Sequence, residues 1–159
     1  MNAAPQPRIW VAAPADAEEV VRLLAGFRDW MAKDEPTTAC IAATVETLLA
    51  DEATELLLAD PDGTGAAGIC QLRFRLSVWT GAQDCWLEDL YVEQAARRRG
   101  LGAALVGAAM ERAAAHGCGR IELDVNEDNE AALALYEAMG FTTEPKPPGR
   151  TLFVGRRIE

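Results

Sequence analysis

The chain is poor in the residues that build metal sites and disulfide scaffolds. One histidine, His116, and four cysteines, Cys40, Cys70, Cys85 and Cys118, stand among 159 residues. No two cysteines form a C-x-x-C pair, which excludes zinc-ribbon and thioredoxin-type motifs, and no metal site is expected. Scattered single cysteines read as small core or near-surface residues of a reducing compartment. Cys118 lies just past His116 at an expected helix end, where the two side chains diverge, so no Cys–His nucleophile pair is read there. Basic residues are scarce as well, 15 against 25 acidic ones, for a net charge of −10. That balance opposes a nucleic-acid or membrane partner and would draw in a cationic substrate, although solubility is its plainer use. No run approaches the ~18 apolar residues of a membrane span. The opening Met-Asn-Ala-Ala-Pro-Gln-Pro lacks the apolar stretch of a secretory signal. The cytoplasm is therefore the expected location. Repeats, low-complexity tracts and linkers are all missing.

What is present suits a single domain. Half the residues are hydrophobic and a quarter charged, an ordinary globular balance at the usual ~100–200 residues per domain. The domain is expected over residues 8–159, behind a loose tail over 1–7. Residues 8–13 read as a strand. Asp16, with Glu19 as a capping-box partner, opens a helix that runs to about Ala32, and Pro36-Thr37-Thr38 separates it from a shorter one carrying Val45, Leu48 and Leu49. Three strands follow, over 55–60, 66–79 and 84–92, linked by the turn signals Pro61-Asp62-Gly63-Thr64-Gly65 and Thr80-Gly81-Ala82-Gln83. They should form an antiparallel meander. A helix over 97–116 ends at Gly117, a strand takes 120–125, and a helix from Asn129 ends at Gly140. Phe141 is expected to open a strand, Pro145–Gly149 to form a rigid loop, and 151–158 to supply the last strand. Arg73 and Arg75 alternate with apolar residues and should face solvent. His116 suits a helix C-terminus.

The most informative stretch is Arg97-Arg98-Arg99-Gly100-Leu101-Gly102-Ala103, between a strand and a helix. A helix N-terminus offers unpaired N–H groups and a positive dipole end. Glycines at 100 and 102 let phosphate oxygens approach that backbone, and three arginines add charge and paired donors. The Gly-Lys-Ser/Thr of a Walker A loop does not follow, and Leu105 stands where a Rossmann fingerprint needs glycine.

Three pieces, in order, resemble the GCN5-related N-acetyltransferase (GNAT) superfamily. Arg97-x-x-Gly100-x-Gly102 is similar to its acetyl-CoA loop, Leu87-Glu88-Asp89-Leu90-Tyr91-Val92 to its fourth strand, and Asn129-x-x-Ala132-x-x-Leu135-Tyr136-x-x-x-Gly140-Phe141 to its second signature. The resemblance implies an α/β (α+β) fold: a mixed, mostly antiparallel central sheet flanked by about four helices and splayed between the fourth and fifth strands. It implies acetyl-CoA as co-substrate, with the pyrophosphate on backbone N–H groups from Arg98 to Ala103. The pantetheine arm would pair with Leu90, Tyr91 and Val92 as an added strand. A bulge near Leu90-Tyr91 would open the sheet, and the Val92 N–H would face the acetyl carbonyl as oxyanion donor. Asn129 would contact the CoA arm while also capping its own helix.

An amine that attacks the thioester must lose a proton, and the thiolate that leaves must gain one. Tyr136 falls where relatives place the acid. Glu88 falls where several place the base or bind the amine. Strand alternation puts the adjacent Asp89 on the opposite face from Glu88, so the two should not act as a dyad. Asp124 and Asn126 would line the acceptor side, where Trp30, Trp79 and Trp86 could shape a pocket. Glu127 and Asp128 read as a solvated loop. The expected reaction is acetyl transfer from acetyl-CoA to a small cationic amine by direct attack. A protein N-terminus or lysine is the rival acceptor, and a non-catalytic CoA-binding sensor the rival function. Relatives often pair through edge strands, so a homodimer is an assembly that the analogy allows, while the sequence leaves the oligomeric state open.

Overall fold

Leu56, Leu57 and Leu58 are all buried, so the strand that carries them is covered on both faces. This strand, β2 (Thr54–Asp60), lies between β1 (Arg8–Val11) and β3 (Gly68–Ser77) in a sheet that continues through β4 (Ala82–Val92) to β5 (Cys118–Glu122). Strands β1 to β4 run antiparallel, and β5 runs parallel to β4. A parallel neighbour needs a crossover, and the helix α3 (Leu101–Ala115) supplies it. The computed structural model describes residues 6–142 and 154–158.

Helices cover each face. On one side α1 (Ala17–Trp30) and α2 (Thr38–Ala50) set Val20, Leu23, Ile41 and Val45 against Leu56, Leu58 and Ile69. On the other, α3 and α4 (Glu130–Ala138) set Leu101, Leu105, Val106 and Tyr136 against Leu57, Cys70, Leu72 and Leu87. Each leucine fully buried in this way contributes about 1.5–3 kcal/mol relative to exposure. The fold is the mixed, mostly antiparallel sheet with flanking helices that the sequence predicts. Among the described residues no helix is long and apolar enough to cross a membrane.

The structure departs from the sequence reading at several ends. Asp16 stands at the N-cap of α1 but makes no side-chain bond to the helix, so no capping box forms with Glu19. Its carboxylate accepts the Ala13 N–H at 2.8 Å and closes a short turn begun by Pro14, while Glu19 pairs with Arg22 at 2.8 Å. Thr37 does cap α2, accepting the Cys40 N–H at 3.2 Å. The stretch after β4 first makes a turn at Gln94–Ala96, so α3 begins at Leu101 rather than Arg97. Phe141 opens no strand. Its N–H returns to the Tyr136 carbonyl at 2.9 Å, and its ring tilts against Tyr136 at 5.7 Å. Residues 154–158 of the expected last strand carry no strand pairing. Residues 151–153, the Pro145–Gly149 loop and residues 1–5 of the expected tail lie outside the described residues.

Candidate active site

Strand β4 has two different halves. Gln83 to Trp86 pair with Cys118 to Glu122, and there the pairing with β5 ends. Residues 123–126 leave the strand, while β4 continues to Val92 bonded to β3 alone. The sheet therefore parts between its fourth and fifth strands. Glu93 donates to the Ala67 carbonyl at 2.9 Å, and the register sets Tyr91 opposite Ile69 and Val92 opposite Gly68. Antiparallel strands alternate bonded and non-bonded pairs. Tyr91 and Glu93 are thus bonded to β3, and the N–H and C=O of Leu90 and Val92 point into the gap.

The bulge lies earlier than the sequence suggests, and it changes the acids. Gln71 is opposite Asp89 and Leu72 opposite Leu87, so Glu88 is the extra residue in β4. A bulge breaks the alternation of faces. Glu88 and Asp89 therefore turn to the same face, not to opposite ones as strict alternation predicts. Glu88 accepts from Gln71 Nε2 at 3.3 Å and from Arg73 at 3.4 Å. Asp89 and Gln71 together line a cavity of about 230 Å³ between the sheet and helices α1 and α2. Burial, with the nearby charges of Glu88 and Asp124, raises the Asp89 pKa, against a smaller opposing pull from Lys33.

A second cleft, of about 440 Å³, runs from Leu90, Tyr91 and Val92 to the start of α3. The first bond within α3 is Ala104 N–H to Gly100 C=O at 3.0 Å, which leaves the N–H groups of Leu101, Gly102 and Ala103 directed off the helix end. Arg98 and Gly100 hold positive φ, +61° and +80°, and curl the loop over that end. Arg97 and Arg98 line the cleft. The Arg97 Nε donates to the Val92 carbonyl at 2.8 Å, and its guanidinium lies over the Trp30 ring at 5.1 Å. Arg99 stands outside this lining and pairs with Asp62 at 3.1 Å. The residues suit a diphosphate ester: three free amides, two guanidinium groups and a helix dipole converge there. A Cβ at Gly102 would also meet Leu135 Cδ2 at 3.3 Å, so a side chain there would crowd the cradle.

On α4, Asn129 caps the helix by accepting the Ala132 N–H at 3.2 Å and also lines the cleft. Tyr136 packs with Cys70 and Leu87 in the core. Burial, then the charges of Cys70 and Asp124, push its phenol up to about 12, so it holds its proton at neutral pH. Asp124 is exposed, yet close enough to act on both Asp89 and Tyr136. Asn126 is not brought into either cavity: its side chain accepts the Asp128 N–H at 2.8 Å in a surface turn. Trp79 sits at a hairpin tip, 92% exposed, and Trp86 lies under Arg75. The cavity walls are instead Leu24, Phe27, Met31, Ile41, Val45 and Leu48. The sequence marks these only as apolar helix positions, and Gln71 only as one polar residue of an alternating strand. His116 stacks on Phe74 at 3.8 Å and meets Glu55 at 2.7 Å, away from both cavities. Burial pushes the Cys70 thiol up and that of Cys85 to about 12, so neither offers a thiolate nucleophile.

Comparison with known proteins agrees with this geometry. The sequence profile of the acetyltransferase (GNAT) family matches residues 17–141. The aminoglycoside N(6')-acetyltransferase type 1 of Klebsiella aerogenes is 35% identical over 108 residues, 64% of this chain and 68% of that protein. The thialysine N-epsilon-acetyltransferase of Bos taurus is 33% identical over 81 residues, 51% of this chain and 47% of that protein, so the chain spans about half the length of that relative. A solved chain from Arthrobacter sp. FB24, provisionally assigned as an acetyltransferase, superimposes with a TM-score of 0.83 at 32% identity, covering 99% of each chain.

Proposed function

The chain belongs to the GNAT family of acetyltransferases, and from that premise we propose that it moves an acetyl group from acetyl-CoA to a small cationic primary amine. One observation carries the reading. The free edge of β4, with the Leu90 and Val92 amides facing the gap, leads straight into the cleft below the α3 N-terminus. An extended amide-bearing arm can pair with that edge, and its anionic end falls on the amides of Leu101 to Ala103.

Acetyl-CoA would supply the acetyl group as a thioester, which an amine can attack without a covalent acyl-enzyme. The side chains of Arg97 and Arg98 and the α3 amides hold the diphosphate. Asp89, flanked by Glu88, receives the proton that the ammonium loses before attack. The Val92 N–H donates to the carbonyl oxygen as the N–C bond forms and charge builds there. Tyr136 gives its proton to sulfur as the C–S bond breaks, and recovers one from the medium. The amine loses its second proton as the amide forms, so one proton in all passes to water. Asn129, held as a helix cap, keeps its side-chain amide at the cleft wall.

Thiol release from acetyl-CoA, followed with and without amines, tests the proposal. Release that depends on the amine, with saturable acetyl-CoA binding by calorimetry, is the expected result. Acetyl-CoA binding absent from the folded chain contradicts it.

A further inference from the structure

The cavity beside Asp89 states what kind of amine belongs there. Six of its lining residues are large and apolar: Leu24, Phe27, Met31, Ile41, Val45 and Leu48. Asp89 is the one acid in its lining among the described residues. Glu88, next in the chain, is engaged by Arg73 and Gln71. The cation at the rim, Arg28, is tied to Asp29, the Pro36 carbonyl and Thr38. The volume of about 230 Å³ is below the roughly 300–1,000 Å³ of pockets for drug-sized ligands.

We infer that the acceptor is a monoamine carried on a compact apolar body, and that polyamines, aminoglycosides and peptide termini are poor acceptors. The inference rests on the acetyl-transfer reading above. One half-buried carboxylate in the lining matches one ammonium. A second ammonium on the same molecule would enter an apolar wall or approach Arg28, with no second carboxylate in the lining to offset its loss of water. A methylene chain or a phenyl ring meets Phe27, Met31 and Ile41 instead. The cavity also narrows the cationic acceptor that the net charge suggests to one carrying a single charge. The net charge is spread over the surface, where it steers cations toward the protein without selecting among those that fit the cavity. Phe27 lines both this cavity and the cofactor cleft and stacks on Tyr91 at 5.3 Å. An ammonium at Asp89 is therefore next to the edge of β4 where the acyl group would lie.

The test measures thiol release by the full chain at saturating acetyl-CoA. The amines are ethyl-, butyl- and hexylamine, 2-phenylethylamine, 1,6-diaminohexane, spermidine, kanamycin and a tetrapeptide with a free N-terminus. From ethyl- to hexylamine, kcat/KM should rise by about fourfold per methylene, the ratio equivalent to ~0.8 kcal/mol. Diaminohexane should fall about tenfold or more below hexylamine, because its distal ammonium must be desolvated. Faster turnover of spermidine, kanamycin or the peptide than of hexylamine overturns the inference and leaves acetyl transfer standing. Acetyl-CoA binding by calorimetry with no amine turned over also overturns it. No binding of acetyl-CoA overturns instead the reading it rests on. A single variant reads the same point from the other side. Thr44 lines the cavity from an exposed position on α2, so Thr44→Asp adds an acid with little demand on the core. The diaminohexane-to-hexylamine ratio should rise by about fivefold, the upper range for an exposed ion pair. An unchanged or lower ratio contradicts the inference.

Discussion

The two halves of β4 are one continuous strand with opposite tasks. From Gln83 to Trp86 it is bonded on both edges, to β3 and to β5, and the Arg120 guanidinium meets the buried Asp84 carboxylate at 2.9 Å. From Glu88 to Val92 it is bonded on one edge, bulged at its start, and bordered by two cavities. The first half spends its polar backbone on the fold. The second leaves the N–H groups of Leu90 and Val92 and the Leu90 C=O open, with only the Val92 C=O engaged, by Arg97, which is a cost in a folded chain unless water or a ligand fills them. Proteins keep such unpaired edges short or covered. Here the edge is bordered by a cleft whose far end is a helix N-terminus, and that placement is why it reads as a binding site.

If the halves divide in this way, substitutions in the open half should change rates, and those in the closed half should change stability. The largest effect is expected from Val92→Pro. Its N–H faces the gap and not β3, so proline removes the proposed oxyanion donor without breaking the ladder. Steady-state kinetics should show kcat lower by about 10²–10³ with Tm little changed. Tyr136→Phe should lower kcat by about 10² and leave acetyl-CoA affinity within twofold, measured by calorimetry.

A smaller and more specific effect is expected at the bulge. Burial, and then the Glu88 charge, raise the Asp89 pKa, so activity should rise with pH as Asp89 ionises, above the ordinary aspartate range. In Glu88→Gln one like charge is gone, and the acidic limb of the kcat/KM profile should move to lower pH. The sign for stability is the reverse of that for activity. The contribution of Asp89 to the fold is fully present below the unfolded aspartate value and is lost as pH rises through the raised folded one. Asp89→Asn should therefore melt above the parent at neutral pH while losing activity. An unmoved limb in Glu88→Gln would separate the two acids again.

The smallest kinetic effect belongs to the closed half. Asp84→Ala removes the Arg120 contact, and since Arg120 is 41% exposed the loss should be only about 1–2 kcal/mol. That is roughly 2–8 °C in Tm for a chain of this size, with kcat within twofold. A large fall in kcat here would mean that the two halves are not independent.

The comparison also shows what was legible in the sequence. The meander, the crossover helix and the Arg97-x-x-Gly100-x-Gly102 loop are local patterns, and each lies within a few residues of its expected place. The bulge is not local. It follows from how β3 and β4 settle in register, and a one-residue slip reverses a face, so strict alternation in the sequence sets Glu88 and Asp89 apart. The Gln71 environment was hidden for the same kind of reason: its burial depends on α1 and α2 closing over the sheet. The meeting of Glu55 with Arg112 and His116 joins residues far apart in the chain, and no spacing rule connects them. Arg99 illustrates a finer limit. The motif groups three arginines, but the direction of each depends on the curl of the loop, and that of Arg99 ends on Asp62.

The division of β4 can be measured directly by amide hydrogen exchange, residue by residue, with and without acetyl-CoA. Without it, Leu90 and Val92 should exchange faster than Tyr91 and Glu93, their neighbours bonded to β3. Acetyl-CoA should slow Leu90 and Val92 together with Leu101, Gly102 and Ala103, and leave Gln83 to Trp86 unchanged. Tight acetyl-CoA binding that protects the closed half, or that leaves Leu90 and Val92 exchanging as before, would contradict the account.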